Sequence, residues 1–200
     1  DILDIMKGDF SVTVPCESDN FEDPANPGKK MVYEGTQLVV EVRQPGYEFA
    51  IKVPCTMPRW EKYQKELTAC WEKMILLVLT RKRGSLSDEQ QGHDMMAAMF
   101  GFAYYWYNFM PLSRGSAAVG FVFIMGMLAT LGLQIGKPIP KGMQPDWEAI
   151  LYENPQHFKD FMFSWMKEAL VELDINEIPP IEKALPTLRS VIEAFNYCPA

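Results

Sequence analysis

Hydrophobic and polar positions change period along this chain, and the change divides it in two. In the first third, "FSVTV", "KKMVYEGTQLVVEVR" and "YEFAIKV" alternate at period two and carry β-branched residues. The last two meet across the turn-forming "QPGY", which predicts an antiparallel hairpin with one further strand before it. Between that first strand and the hairpin, "ESDNFEDPANPGKK" reads as a mobile loop from its Asp, Asn, Pro and Gly.

From Thr56 the period becomes helical. Thr56 is a capping residue, Pro58 suits a first turn, and Trp60, Tyr63, Leu67, Cys70, Trp71, Met74 and Leu77 or Val78 recur as one stripe. After "RKRGSLSDEQ" a second helix is predicted, capped by Ser87 and running through "HDMMAAMFGFAYYWYNFM" to Pro111. Its Tyr104, Tyr105, Trp106 and Tyr107 point round the whole helix, so some must meet a partner, a ligand or solvent, though most of their area is expected in the core. Gly115 to Leu133 follow as nineteen residues without a charge, long enough to cross a bilayer. The half-polar helix before them and the small residues along them favour a central, fully buried helix instead. "QIGKPIPKGMQP" is a linker, after which "DWEAIL" and "PQHFKDFMFSWMKEALVEL" predict helices with a stripe of Phe158, Phe161, Met162, Trp165, Met166 and Leu170. The Pro-broken tail offers one last helix.

The expected architecture is therefore α+β and mainly helical. An N-terminal antiparallel β-hairpin packs on a helical core with a central buried helix, in a single domain over 1–200, mainly β at 10–55 and mainly α at 56–200. A chain of 200 residues supports one such core. With 48% hydrophobic and 22% charged residues it is a globular composition. A net charge of −7 repels phosphate backbones, which excludes nucleic acid as the expected partner. The opening "DILDIMKGDF" has no signal-peptide pattern and resembles the interior of something longer. The four cysteines form no C-x-x-C pair. Cys16 and Cys55 share the contexts "VTVPCES" and "IKVPCTM", which suit a disulfide between neighbouring strands and two buried thiols equally.

Familiar catalytic motifs fail on spacing. "GLQIGKPI" is one residue short of a phosphate loop and has Pro138 where a magnesium-binding hydroxyl belongs. "RGSAAVG" lacks the nucleophile-elbow spacing. His93 and His157 fall on different helices with no third ligand near, so neither a metal nor a cofactor is expected. The sharper candidate is "NFMPLSRGS", a turn leading into a helix N-terminus. Free N–H groups there, the Arg114 guanidinium and the Ser113 and Ser116 hydroxyls suit phosphate or carboxylate, while a capping serine beside a solvated arginine fits the same residues. Arg59 sits in the first turn of a helix, where the dipole disfavours a cation, so it calls for an anionic partner or a neighbouring carboxylate.

"GYEFAIKVPCTMPRWEKYQKELTACWE", "YYWYNFMPLSRGSAAVGF" and "IPKGMQPDWEAIL" resemble the C-terminal region of the tetratricopeptide repeat protein 13 family and its plant immune-repressor members, from about Phe10 to about Leu170. That resemblance implies helical repeats upstream, absent from this stretch, and an adaptor role. The order of elements is also similar to Fic and Fido domains, whose loop reads H-P-F-x-D/E-G-N-G-R. Laid over it, Pro111 and Gly115 match, whereas Met110, Leu112, Arg114, Ser116 and Ala118 replace the histidine, phenylalanine, acid, asparagine and arginine. Without that histidine and acid the usual Fic chemistry has neither base nor magnesium anchor.

Two functions are expected from these residues. One is a divergent Fido-like domain that binds a small anionic ligand, with group transfer as its enzymatic form. Ser113, Arg114, Ser116, Tyr105, Tyr107 and Glu66 would be its catalytic candidates, and Arg59, Trp60, Asn108 and Gly115 its ligand-binding ones. The other is a non-catalytic protein-interaction module of a repeat-containing adaptor. Neither a nucleic acid nor a membrane is expected as partner, and the sequence fixes no compartment.

Overall fold

The period-two segments form a three-stranded antiparallel sheet of order β1-β2-β3, with β1 at Phe10–Glu22, β2 at Lys30–Arg43 and β3 at Gly46–Lys52. The computed structural model describes residues 9–43, 46–81, 88–174, 176 and 178–196. Seven helices follow: α1 at Met57–Arg81, α2 at Asp88–Phe109, α3 at Ser116–Thr130, α4 at Pro145–Leu151, α5 at Pro155–Ala169, α6 at Ile181–Ala184 and α7 at Leu188–Asn196. Two short strands, β4 at Leu133–Ile135 and β5 at Leu170–Glu172, pair antiparallel behind α3 and α5. The fold is α+β, a sheet packed on a helical body. The Ser87 cap expected for α2 lies outside the described residues.

The hairpin forms as expected, but β1 is much longer than "FSVTV". It continues through Pro15 and takes in Glu17–Glu22, which the composition assigned to a loop. Two register shifts, at Val14/Cys16 and Glu17/Glu22, let it do so. Its polar residues are held from the helical side, as described below, and tertiary bonds outweigh their low strand propensity. The true turn is only Asp23–Lys29, closed by Asp23 N–H to Lys29 C=O at 2.8 Å and Asn26 N–H to Asp23 C=O at 3.0 Å. Cys16 and Cys55 are free thiols, one buried and the other exposed. β2 stands between β1 and the segment after β3 that carries Cys55, so the matching contexts lie two strands apart. At about 5 Å per strand this exceeds disulfide reach.

The core has a central buried helix, and it is α2. Met95, Ala98, Met99, Phe100, Ala103, Tyr104, Tyr105 and Tyr107 are all buried. β1 and β2, α1, α3, α4 and α5 surround this helix, so tyrosines pointing in different directions each find a wall. Residues 115–133 are not that central helix. α3 buries only Ser116, Gly120, Ile124 and Leu128, an i, i+4 line, and exposes Val119 and Val122. With no polar face, its hydropathy does not reveal which side is inside. Among the described residues no helix is long and apolar enough to cross a membrane.

The expected α1 stripe holds at Tyr63, Leu67, Cys70, Met74 and Leu77, whereas Trp60, Trp71 and Val78 are exposed and Arg59 and Glu66 are buried on the same face. On α5 the expected stripe holds at Phe158, Met162, Trp165 and Met166, with Lys159 buried among them.

Gly120 and Gly126 of α3 make opposite predictions. A Cβ on Gly120 would sit 2.4 Å from the enclosed Tyr107 ring, whereas one on Gly126 meets nothing within 4 Å. Gly120→Ala should lose about 2 kcal/mol through overpacking, and Gly126→Ala should gain up to about 1 kcal/mol from helix propensity. Urea unfolding of the two variants checks the pair; equal shifts would place the buried side of α3 elsewhere.

Candidate functional site

α2 ends where Pro111 forbids its continuation, with Met110 in the left-handed region at φ 47° and its N–H on Trp106 C=O at 3.0 Å. The chain turns through Leu112 to Gly115, also left-handed at φ 83°, and Ser116 opens α3. The Ser116 hydroxyl accepts from Leu112 N–H at 3.1 Å and donates to Leu112 C=O at 3.2 Å, while Trp106 Nε1–H bonds Ser116 C=O at 2.7 Å. Ser116 therefore locks the loop from inside. Ser113, Arg114 and Gly115 are exposed. Arg114 makes no hydrogen bond or ion pair among the described residues, and no side chain caps the first N–H groups of α3.

Arg59 is 3% exposed and its guanidinium is taken up by backbone carbonyls. Its Nε donates to Glu34 C=O at 3.1 Å and its terminal nitrogens to Asn108 C=O at 2.6 Å and Phe109 C=O at 3.2 Å, over the Tyr63 ring at 4.4 Å. The anion it needs is the C-terminus of α2, whose last turn has no basic residue of its own. Asn108 is brought beside it: its amide donates to Tyr104 C=O at 3.1 Å and Ala149 C=O at 2.8 Å, and its buried Oδ1 has no partner among the described residues. Trp60 lies half-exposed, edge-on to Phe109 at 5.4 Å.

Glu66 and Tyr105 belong to a second, separate cluster under β1. The fully buried Glu66 carboxylate accepts from the Ser18 hydroxyl, from Tyr33 O–H at 2.7 Å and from the Asn20 amide at 2.6 Å. Tyr105 O–H accepts from Asp19 N–H at 2.5 Å and donates to Glu17 C=O at 3.2 Å, and Lys159 pairs with the Asp19 carboxylate. Burial pushes the Tyr33, Tyr63, Tyr104, Tyr105 and Tyr107 hydroxyls well above the usual phenol range. Burial likewise pushes the Cys16 thiol up to about 12 and the Cys70 thiol up to about 11. All remain protonated near neutrality, as donors rather than bases. Tyr107 packs against Gly120 and is brought to neither cluster.

Nine of the ten predicted site residues thus fall into a turn at the surface, an arginine-capped helix end and a buried carboxylate network, and Tyr107 stands apart. Ser18, Asn20, Tyr33, Asp19 and Lys159 were not singled out by sequence; the visible signal was polar "ESDN" directly after an alternating strand, and a lysine within the α5 stripe. Beside the network, α1 and the sheet border an open groove of about 820 Å³, floored by Phe21, Met31 and Tyr33.

Over 200 residues, 98% of its length, this chain is 34% identical to "Suppressor of RPS4-RLD 1" of Arabidopsis thaliana. Over 171 residues, 83% of the chain, it is 27% identical to "Tetratricopeptide repeat protein 13" of Homo sapiens. The chain is homologous to one region of each. It spans 18% and 19% of their lengths, under a fifth of either protein. No family model and no solved structure matches, so the likeness to Fic domains gains no support.

The raised thiol and phenol values set a pH dependence. An acid whose pKa is higher folded than unfolded adds stability below its unfolded value, near 9 for a thiol and 10 for a phenol, and loses it as pH rises toward the folded value. The melting temperature should be level between pH 7 and 9 and fall above that, with the tyrosinate absorbance of the five buried tyrosines appearing together with unfolding. In a Cys198→Ser variant, Cys55 should react at once with a thiol reagent while Cys16 and Cys70 wait for unfolding.

Proposed function

We propose that the domain is a non-catalytic protein-interaction module that receives an amphipathic helix of a partner protein. One observation carries this reading: an open apolar groove walled by three helices. Two adjoining depressions, of about 470 and 180 Å³, share Val78 of α1, Met95 of α2 and Met127 of α3. Trp71, Ile75 and Leu79 line the rim and are 45% to 48% exposed. Exposed apolar area of this kind marks a docking surface, and flexible methionines in a trough suit the apolar face of a helix. The human relative is named for tetratricopeptide repeats, which are helix pairs, and a helix of that type fits the trough.

Site-specific photo-crosslinking in cells tests it. A benzophenone side chain at Leu79 should give a discrete protein adduct, and one at the exposed Gln156 of α5 should not. Leu79→Asp should abolish adducts formed from position 75 while costing about 1 kcal/mol or less of stability. The same adducts from both faces would defeat the proposal.

A second reading keeps the turn as an anion site, favoured by the unpartnered Arg114 beside the uncapped start of α3. Binding alone is proposed there, because Ser116, Arg59, Tyr105 and Glu66 are engaged elsewhere in the fold. A phosphate ester or carboxylate at a hundred times its dissociation constant should add about 2.7 kcal/mol, seen as a thermal shift. Arg114→Ala should remove that shift without moving the melting temperature of the free domain; no shift from any such compound would reject an anion site.

A further inference from the structure

Half of one edge of β2 has no strand beside it. β3 pairs with Gln37–Arg43 and then leaves, so among the described residues no strand pairs with the side of β2 away from β1 along Lys30–Thr36. The Glu34 carbonyl points to that side, where Arg59 and the Tyr63 hydroxyl bond it at 3.1 and 3.3 Å. By the two-residue period of a strand, Val32 directs its own N–H and C=O the same way. Val32 is 56% exposed.

The groove of about 820 Å³ opens beside this edge, between the sheet and α1. Its floor is apolar and fixed, since Tyr33 is anchored through its hydroxyl to Glu66. Its α1 wall carries Lys62 and Lys65 in the middle and Glu61 and Glu72 toward the ends. Neither lysine has an ion-pair partner among the described residues; Lys62 only stands over the Tyr33 ring at 5.8 Å. A free strand edge, a slot beside it and two unpaired cations define the complement of one kind of ligand.

We propose that this groove binds an extended peptide with acidic residues at its centre, which takes the place β3 vacates and adds a short strand to β2 at Lys30–Val32. Main-chain bonds to Val32 set its course, and alternate side chains enter the slot over Met31 and Tyr33. Its carboxylates meet Lys62 and Lys65, while Glu61 and Glu72 confine acid to the middle. This site lies apart from the three-helix trough and goes beyond the helix-docking reading.

The test is selection of a random peptide library against the folded domain, followed by affinity measurement on the enriched sequences. Acidic-centred peptides should emerge. Their binding should weaken about tenfold in Lys62→Glu with Lys65→Glu and should fall as salt rises. Alternate N-methylation of the peptide backbone should abolish binding, a measurement that leaves the domain untouched. Failure to enrich any peptide would overturn the proposal, as would binders that tolerate N-methylation or ignore the lysine changes. Binders lost in Leu79→Asp instead would place peptide recognition in the trough and overturn this site alone.

Discussion

The enclosure of the C-terminal half of α2 is the constraint on which the other elements depend. A surface helix leaves its last carbonyls and outward tyrosines to water, but α2 has little water to use, and each buried polar group needs a partner from the protein. Arg59 reaches across from α1 to the carbonyls of Asn108 and Phe109, supplying the positive charge that the last turn of α2 lacks. Tyr104 bonds the carbonyls of Tyr152 and Glu153, and Tyr105 bonds β1. These bonds fix where α1, the sheet and the α4–α5 turn sit relative to one another. A cation that is misplaced for its own helix is thereby correctly placed for another.

The same constraint explains the length of β1. Serine, aspartate and asparagine are poor strand formers, and in isolation Glu17–Glu22 would be a loop. Glu66 is a carboxylate facing the sheet from a buried position, and it requires donors; Ser18, Asn20 and Tyr33 provide them. Asp19 in turn stabilises the ammonium of Lys159. Breaking such a network at one member strands the others in low dielectric, so its residues are bound to the fold together.

How much the sequence shows follows from which forces are local. The hairpin, α1, α2 and α5 were legible because alternation, capping residues and Pro111 act within a few positions. The limits of β1 and the pairing of Leu133–Ile135 with Leu170–Glu172 were not, because both rest on bonds between residues far apart in the chain. On α1 the inward face at Tyr63, Leu67, Cys70, Met74 and Leu77 was legible, but its polar members were not: hydropathy ranks Trp71 above Glu66 and Arg59, yet tertiary hydrogen bonds bury both charged side chains and leave the indole outside. For the candidate site, the exposure of Ser113 and Arg114 was in keeping with the turn residues around them. The inward hydroxyl of Ser116 was not visible, since a serine at the first position of a helix can face either way.

The charge-free helix completes this division. α3 supplies α2 with a line of contact at Gly120, Ile124 and Leu128, flanked by the Phe123 ring stacked on Phe102 at 4.4 Å, and a polar outer face would serve that contact equally well. Instead its outward positions are Val119 and Val122, and Met127 meets the open trough beside Val78 and Met95. Packing inside the domain gives no reason for that choice. Glu66, Tyr105, Arg59 and Ser116 face inward and are hydrogen-bonded within the fold, while apolar side chains that might have filled a core face outward. The proposed docking of a partner helix rests on this distribution, because covering Val78, Met95 and Met127 would remove that apolar area from water.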